Sequence, residues 1–240
     1  MVAGRTSDVV VAMHMSDGLL DAPTVAVFWA VAVVGLAICA ARARRELDER
    51  TAPMAGLVTA FVFAVQMINF PILPGASGHL LGGALVAVLV GPWVGALCVA
   101  VVLVVQALLF ADGGLTTLGA SIVNMALIST FVGYGVIVAL RGLTRRSRGG
   151  LVAAAFLAGL VGTVAAALGF VVEYAIGGAA PVDLGTVLGL MVGLHALIGI
   201  GEGLITAATV GAVAAIRPDL VYALRGSAPV LELRTTGSTS

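Results

Sequence analysis

The sequence predicts an all-α membrane protein, a polytopic helical bundle with seven transmembrane helices. Three observations carry this. First, 60% of the 240 residues are hydrophobic and only 10% are charged, against roughly 45–50% apolar and about 25% charged in soluble domains. Second, mean hydropathy is +1.16. Third, the roughly 144 apolar residues fall in long unbroken runs, enough for about seven spans of about 20 residues each. An outer-membrane barrel would show short alternating segments instead. This composition excludes a soluble enzyme, a disordered chain and a coiled coil. Nucleic-acid binding is not expected, since 12 basic and 12 acidic residues cancel and no basic stripe remains.

The elements follow in order. Residues 1–12 form an extension that lacks the long apolar core of a cleavable signal peptide and carries Asp8 in its middle. The first span is 23–41, closed by Arg42, Arg44 and Arg45, and the second is 51–70, stopped by Pro71. A loop with two prolines and two glycines covers 71–78. The apolar stretch 80–110 is longer than one span requires and is interrupted at Gly91-Pro92-Trp93. Spans at 116–140, 151–176 and 186–216 follow, with a basic loop carrying Arg141, Arg145, Arg146 and Arg148 after the first of them. Residues 13–216 read as one transmembrane domain and 217–240 as a polar, frayed tail.

The arginines decide the ambiguous stretch. All 12 basic residues are Arg. A break at Gly91-Pro92 gives seven spans and places 11 of the 12 on one side. The positive-inside rule then puts the N-terminus outside and the C-terminus in the cytoplasm. The short helix ahead of Gly91 must be tilted or sheltered by its neighbours. The odd span count and the lack of a visible internal repeat argue against a transporter built from inverted repeats. Cys39 and Cys98 stand alone, so no thiolate site or disulfide framework is indicated.

Ionisable groups within a bilayer are functional candidates by default. His79 is expected at the outer start of the third span and Glu173 near the outer end of the sixth. His195 and Glu202 lie two turns apart on one face of the seventh. Gln66, Asn69, Gln106 and Asn124 are uncharged, and Asp112 and Asp183 fall in outer loops. Plain readings stand beside these. Asp112-Gly113-Gly114 is a turn, His195 and Glu202 form one structural hydrogen-bonded pair, Glu173 reaches the interface, and His79 is a satisfied interfacial histidine. Gly75-Ala76-Ser77-Gly78 with His195 also matches the GxSG serine and distant histidine of rhomboid-type intramembrane proteases, whose imidazole takes the serine proton.

A more extensive pattern starts at Met13-His14-Met15-Ser16-Asp17-Gly18. It continues through Asn69-Phe70-Pro71, Ser77-Gly78-His79-Leu80-Leu81-Gly82-Gly83, Gly91-Pro92-Trp93 and the run from Val105 to Gly114. Asn124-Met125 and His195 through Gly203 complete it. From residue 13 to about 216 the chain resembles the CbiM/NikM family, the substrate-binding components of energy-coupling-factor transporters for cobalt and nickel. The resemblance implies metal ligation by Met13 through its free α-amine, by His14 through backbone nitrogen and imidazole, and by His79. Asn69, Ser77, Asp112, Asn124, His195 and Glu202 would support these ligands or the bundle. Four nitrogens in adjacent chelate rings suit Co²⁺ or Ni²⁺ over Mg²⁺ or Ca²⁺, and a deprotonated amide offsets the dication's charge in a low-dielectric interior. A free amine on Met13 requires that Met13 be the first residue, with 1–12 a misassigned start. Ser121 departs from the family pattern, which more often has Asn there.

The resemblance further implies a transported metal substrate, cobalt slightly favoured over nickel, feeding cobalamin synthesis or nickel enzymes. It also implies a transmembrane scaffold subunit, two ATPases and often a small accessory membrane protein, in a bacterial inner membrane. No GxxxxGK[ST] is present, so the chain is not expected to be an enzyme and ATP hydrolysis would belong to the partners. A stand-alone metal channel or exchanger is the other alternative. Ala26, Ala30 and Ala37 with Gly35 on the first span form a small-residue face suited to docking or to internal packing.

Overall fold

The computed structural model describes residues 15–49, 51–68, 70–73 and 76–225. Residues 15–21 lace across one end of the bundle. The Met15 carbonyl accepts from the Gly114 N–H and the Thr117 hydroxyl, each at 2.7 Å. The Asp17 carboxylate takes the Thr116 N–H at 2.8 Å and its hydroxyl at 2.5 Å. The Leu19 carbonyl accepts from Ala179 N–H, and Asp21 N–H donates to Gly177. Met15 is 1% exposed, so it packs inside the bundle.

Asp21 then caps helix α1 (Ala22–Ala43), accepting from the Thr24 N–H, which satisfies one of the otherwise unpaired first-turn donors. Ala26, Ala30 and Ala37 are exposed, while Gly35 packs closely on Leu127. The small face of α1 therefore packs inside only through Gly35. Helix α2 (Thr51–Gln66) stops short of residue 70, because the chain turns into an antiparallel pair, β1 (Phe70–Leu73) with β2 (Ala76–Gly78). The expected loop at 71–78 is thus a small β-hairpin.

Helix α3 (Gly83–Val90) is eight residues, all buried, about 12 Å of rise. It ends at Gly91, with φ 95°, and α4 (Pro92–Leu109) starts at once. The break expected at Gly91-Pro92 is present. A side chain at 91 would strike the Glu46 carboxylate and the Tyr222 ring. Helix α4 closes through Asp112 N–H, which returns to the Gln106 carbonyl at 3.2 Å across Ala111 (φ 52°), and Gly113 follows at φ 92°. Asp112 therefore sits in a turn, as its Gly-Gly neighbours suggested. Next comes one continuous rod, Leu118–Ala139. It comprises α5 (Leu118–Ser121), a π-helical stretch (Ile122–Ile128) and α6 (Ser129–Ala139). Short α7 (Arg141–Arg146) leads to the long antiparallel pair α8 (Arg148–Gly177) and α9 (Leu184–Ile216).

Glycine makes that last pair possible. A Cβ at Gly159 would lie 2.9 Å from the Gly203 Cα, and one at Gly203 would lie 2.6 Å from the Phe156 carbonyl oxygen. Gly199, Gly203, Ala207 and Gly211 recur every four residues, the small-residue spacing that lets apolar helices touch backbone to backbone.

Among the described residues, five helices are long and apolar enough to cross a membrane: α1, α4, the rod Leu118–Ala139, α8 and α9. Two further spans were expected where α2, of 16 residues, and buried α3, of eight, lie; neither is long enough to be counted with these five.

One end of the bundle gathers the arginine-bearing segments. Arg42 lies over the Trp93 ring at 5.7 Å, and Arg225 donates to Thr51 at 2.6 Å and approaches Asp48 at 3.6 Å. Buried Glu46 accepts from the Val94 N–H at 3.1 Å and the Tyr222 hydroxyl at 3.0 Å. Desolvation pushes its carboxyl above the usual value, against the pull of those hydrogen bonds.

Candidate metal centre

The polar residues of the interior resolve into separate clusters. The first surrounds His79. This residue is 3% exposed and precedes α3 by four residues, in irregular backbone. Gly82 and Gly83 meet Val62, Ser129 and Thr130, and Glu202 lies near the middle of α9. His79 thus lies inside the bundle, in the irregular segment that leads into buried α3. Non-helical backbone there is tolerated only where protein satisfies it, and two side chains do so. The Glu202 carboxylate accepts the Leu81 N–H at 2.9 Å on one oxygen and the Gly82 N–H at 2.7 Å on the other. The Gln66 amide donates to the Leu81 carbonyl at 2.6 Å. Gly82 takes φ 79°, a left-handed conformation that glycine adopts without Cβ strain. His79 Nδ1 lies 2.9 Å from the Leu80 carbonyl.

His195 and Glu202 do not form the hydrogen-bonded pair considered from their spacing. They are about 10.5 Å apart along α9. Glu202 binds the turn, while His195 Nδ1 bonds the Met191 carbonyl at 2.7 Å. His195 Nε2 is buried without a hydrogen-bond partner among the described residues.

The second cluster is Asn124 with Glu173. Asn124 lies in the π-helical stretch, whose widened turn commonly marks a functional position, and its amide donates to Glu173 at 2.7 Å. Glu173 is 1% exposed, so it lies within the bundle and does not reach the interface.

Met13, His14 and Asn69 lie outside the described residues. The Ser77 backbone falls in β2, paired with Pro71. Among the described residues no group of three or more His, Cys, Asp or Glu could hold a metal.

Sequence comparison decides the family. The model of the cobalt uptake substrate-specific transmembrane region, CbiM, matches residues 14–220. The chain belongs to the CbiM family. A cobalt transport protein CbiM of Sorangium cellulosum is 36% identical over 225 residues, covering 89% of this chain and 96% of the relative. A fused nickel transport protein NikMN of Rhodobacter capsulatus is 34% identical over 236 residues, covering 92% of this chain and 68% of the relative. A crystal structure of a truncated transition metal transporter superposes with a TM-score of 0.77 at 32% identity, covering 84% of this chain and 98% of the other. The CbiM match spans the Met15 entry segment, the His79 turn, Asn124 and the Glu202 helix.

The positioning roles of Gln66, Thr116 and Thr117 escaped the sequence reading. Gln66 was visible only as an uncharged polar residue in an apolar run. Thr116 and Thr117 hold a segment about 100 positions away, and no local pattern marks such a pair.

Proposed function

We propose that this CbiM-family chain is the substrate-capture subunit of an energy-coupling-factor importer for a divalent transition metal, cobalt ahead of nickel. The supporting observation is the buried turn after His79, built from irregular backbone and clamped by Glu202 and Gln66. Such a turn holds one imidazole rigidly inside the bundle. The buried Met15 supports entry of the residues just before it from the same end. Met13 and His14 would supply amine, amide nitrogen and imidazole, and His79 the fourth nitrogen. Met13 is then the first residue of the mature chain, which N-terminal sequencing checks.

In this reading seven segments span a bacterial inner membrane. The Met15 end faces outward, and the arginine end and C-terminal tail face the cytoplasm, in keeping with the positive-inside rule. A scaffold subunit, two ATPases and a small accessory protein complete the importer, and the imported metal serves cobalamin synthesis or nickel enzymes. The exposed Ala26, Ala30 and Ala37 suit docking of the scaffold subunit, since small residues let helices approach closely. The decisive experiment is Co²⁺ and Ni²⁺ uptake into vesicles with and without the partners. The proposal expects ATP-dependent uptake with the partners. Equal uptake by this chain alone would favour a channel or exchanger. The family match, to a cobalt uptake region over residues 14–220, speaks against a serine-protease role.

A further inference from the structure

The arginine-bearing end contains a cavity of about 180 Å³ between the last turns of α6, helix α7 and the folded-back segment at 222–225. Arg141, Arg145 and Arg225 line it with Tyr134, Thr144 and Val138, and no acidic side chain is among its described lining residues. Arg141 and Arg145 are exposed and make no ion pair among the described residues. One wall is fixed by specific contacts. The Tyr222 hydroxyl is bound to Glu46, the Arg225 guanidinium lies 5.1 Å from the Tyr222 ring centroid, and the Tyr134 and Tyr222 rings are 6.1 Å apart. Beside the guanidinium groups the surface turns apolar, with Val138 39% and Leu143 42% exposed.

We propose that this cavity binds the phosphate of an anionic phospholipid headgroup, with the acyl chains running along the Val138 side of α6. Guanidinium groups match phosphate oxygens in fork geometry. Arg141 and Arg145 offer two such groups, while Arg225 also bonds Thr51 and approaches Asp48 at 3.6 Å; with no carboxylate among the described lining residues, the site favours an anionic headgroup over one that also carries a cation. The cavity lies where the apolar run of α6 gives way to the arginine-rich turn. Basic pockets between transmembrane helices at that depth recognise anionic headgroups. The adjoining apolar surface favours a lipid over a soluble anion.

The test uses the full chain in nanodiscs of equimolar phosphatidylglycerol and phosphatidylcholine, with retained lipid read by native mass spectrometry after release into detergent. Wild type is expected to retain phosphatidylglycerol selectively. The double variant Arg141→Gln/Arg145→Gln is expected to lose about 30-fold in that retention, the equivalent of roughly 1 kcal/mol for each arginine. Arg146→Gln/Arg148→Gln removes the same charge outside the cavity and is expected to retain the lipid. Circular dichroism checks that both variants remain helical. Undiminished retention in the first variant, or equal loss in the second, overturns the site. A thermal shift with inorganic phosphate alone as large as that with phosphatidylglycerol overturns the lipid as its source. The readout is independent of metal transport.

Discussion

Glu202→Gln removes half of the clamp on the His79 turn while preserving side-chain size. In the native protein each carboxylate oxygen accepts one backbone N–H, from Leu81 and Gly82. A charged acceptor of this kind contributes about 1.5–3 kcal/mol, and a buried donor left unpaired costs about 1–3 kcal/mol. Glutamine keeps one acceptor oxygen and turns its NH2 toward the other N–H, so about 2–4 kcal/mol of preference for the native turn is lost. Metal affinity scales with the fraction of molecules whose site is assembled. Some of the loss relaxes away, and an affinity decrease of about 30-fold or more is expected, corresponding to the lower end of that range. Calorimetric titration of wild type and variant with Ni²⁺ measures this, with the visible d–d spectrum of bound Ni²⁺ reporting ligand geometry and circular dichroism reporting the fold. Affinity within threefold of wild type, with an unchanged spectrum, would refute the clamp as a positioning device.

Other consequences follow from the packing and the end contacts. Gly203→Ala places a Cβ 2.6 Å from the Phe156 carbonyl and is expected to destabilise the α8–α9 pair by about 1–3 kcal/mol. Gly189→Ala, where nothing lies within 4 Å, should be neutral or stabilising in the same thermal melts. The Thr116 hydroxyl, then its N–H, hold Asp17 below its ordinary value. Asp17→Asn should therefore increase hydrogen exchange at 15–21 most at neutral pH. The difference should shrink as pH falls through the lowered Asp17 value and the wild-type carboxyl takes up its proton. Glu46 behaves oppositely, because burial raises its value. Its protonated form is favoured in the folded state, so the melting temperature of Glu46→Gln relative to wild type should rise as pH increases through that raised value. Ala30→Trp should block assembly with a scaffold subunit while leaving metal binding intact; assembly at wild-type level would argue against that docking face.

Much of the bundle was legible because its signals are local. Gly91-Pro92 breaks a helix by backbone chemistry alone, and the arginines cluster in segments that share one end. The β-hairpin was not legible, since two prolines and two glycines in eight residues look like any loop. The clamped turn after His79 was hidden for a related reason. Hydropathy counts Leu80 through Val90 as one run, but Gly82 takes a left-handed conformation, and Glu202 supplies acceptors from 120 positions away. The seven-residue spacing of His195 and Glu202 put both on one face correctly, yet spacing alone does not reveal which partners each side chain meets. Glu173 was misread because nearness to a helix end suggests solvent, whereas Asn124 in the π-helical turn draws its carboxyl inward.

The central claim is that a nitrogen-donor site joins the Met13-His14 terminus to His79. Its most direct test is titration of purified protein beginning at Met13 with Ni²⁺ and Co²⁺, alongside His14→Ala and His79→Ala. One metal per chain in wild type, with affinity lost in both variants, is the predicted result. Unchanged affinity in both variants would contradict it.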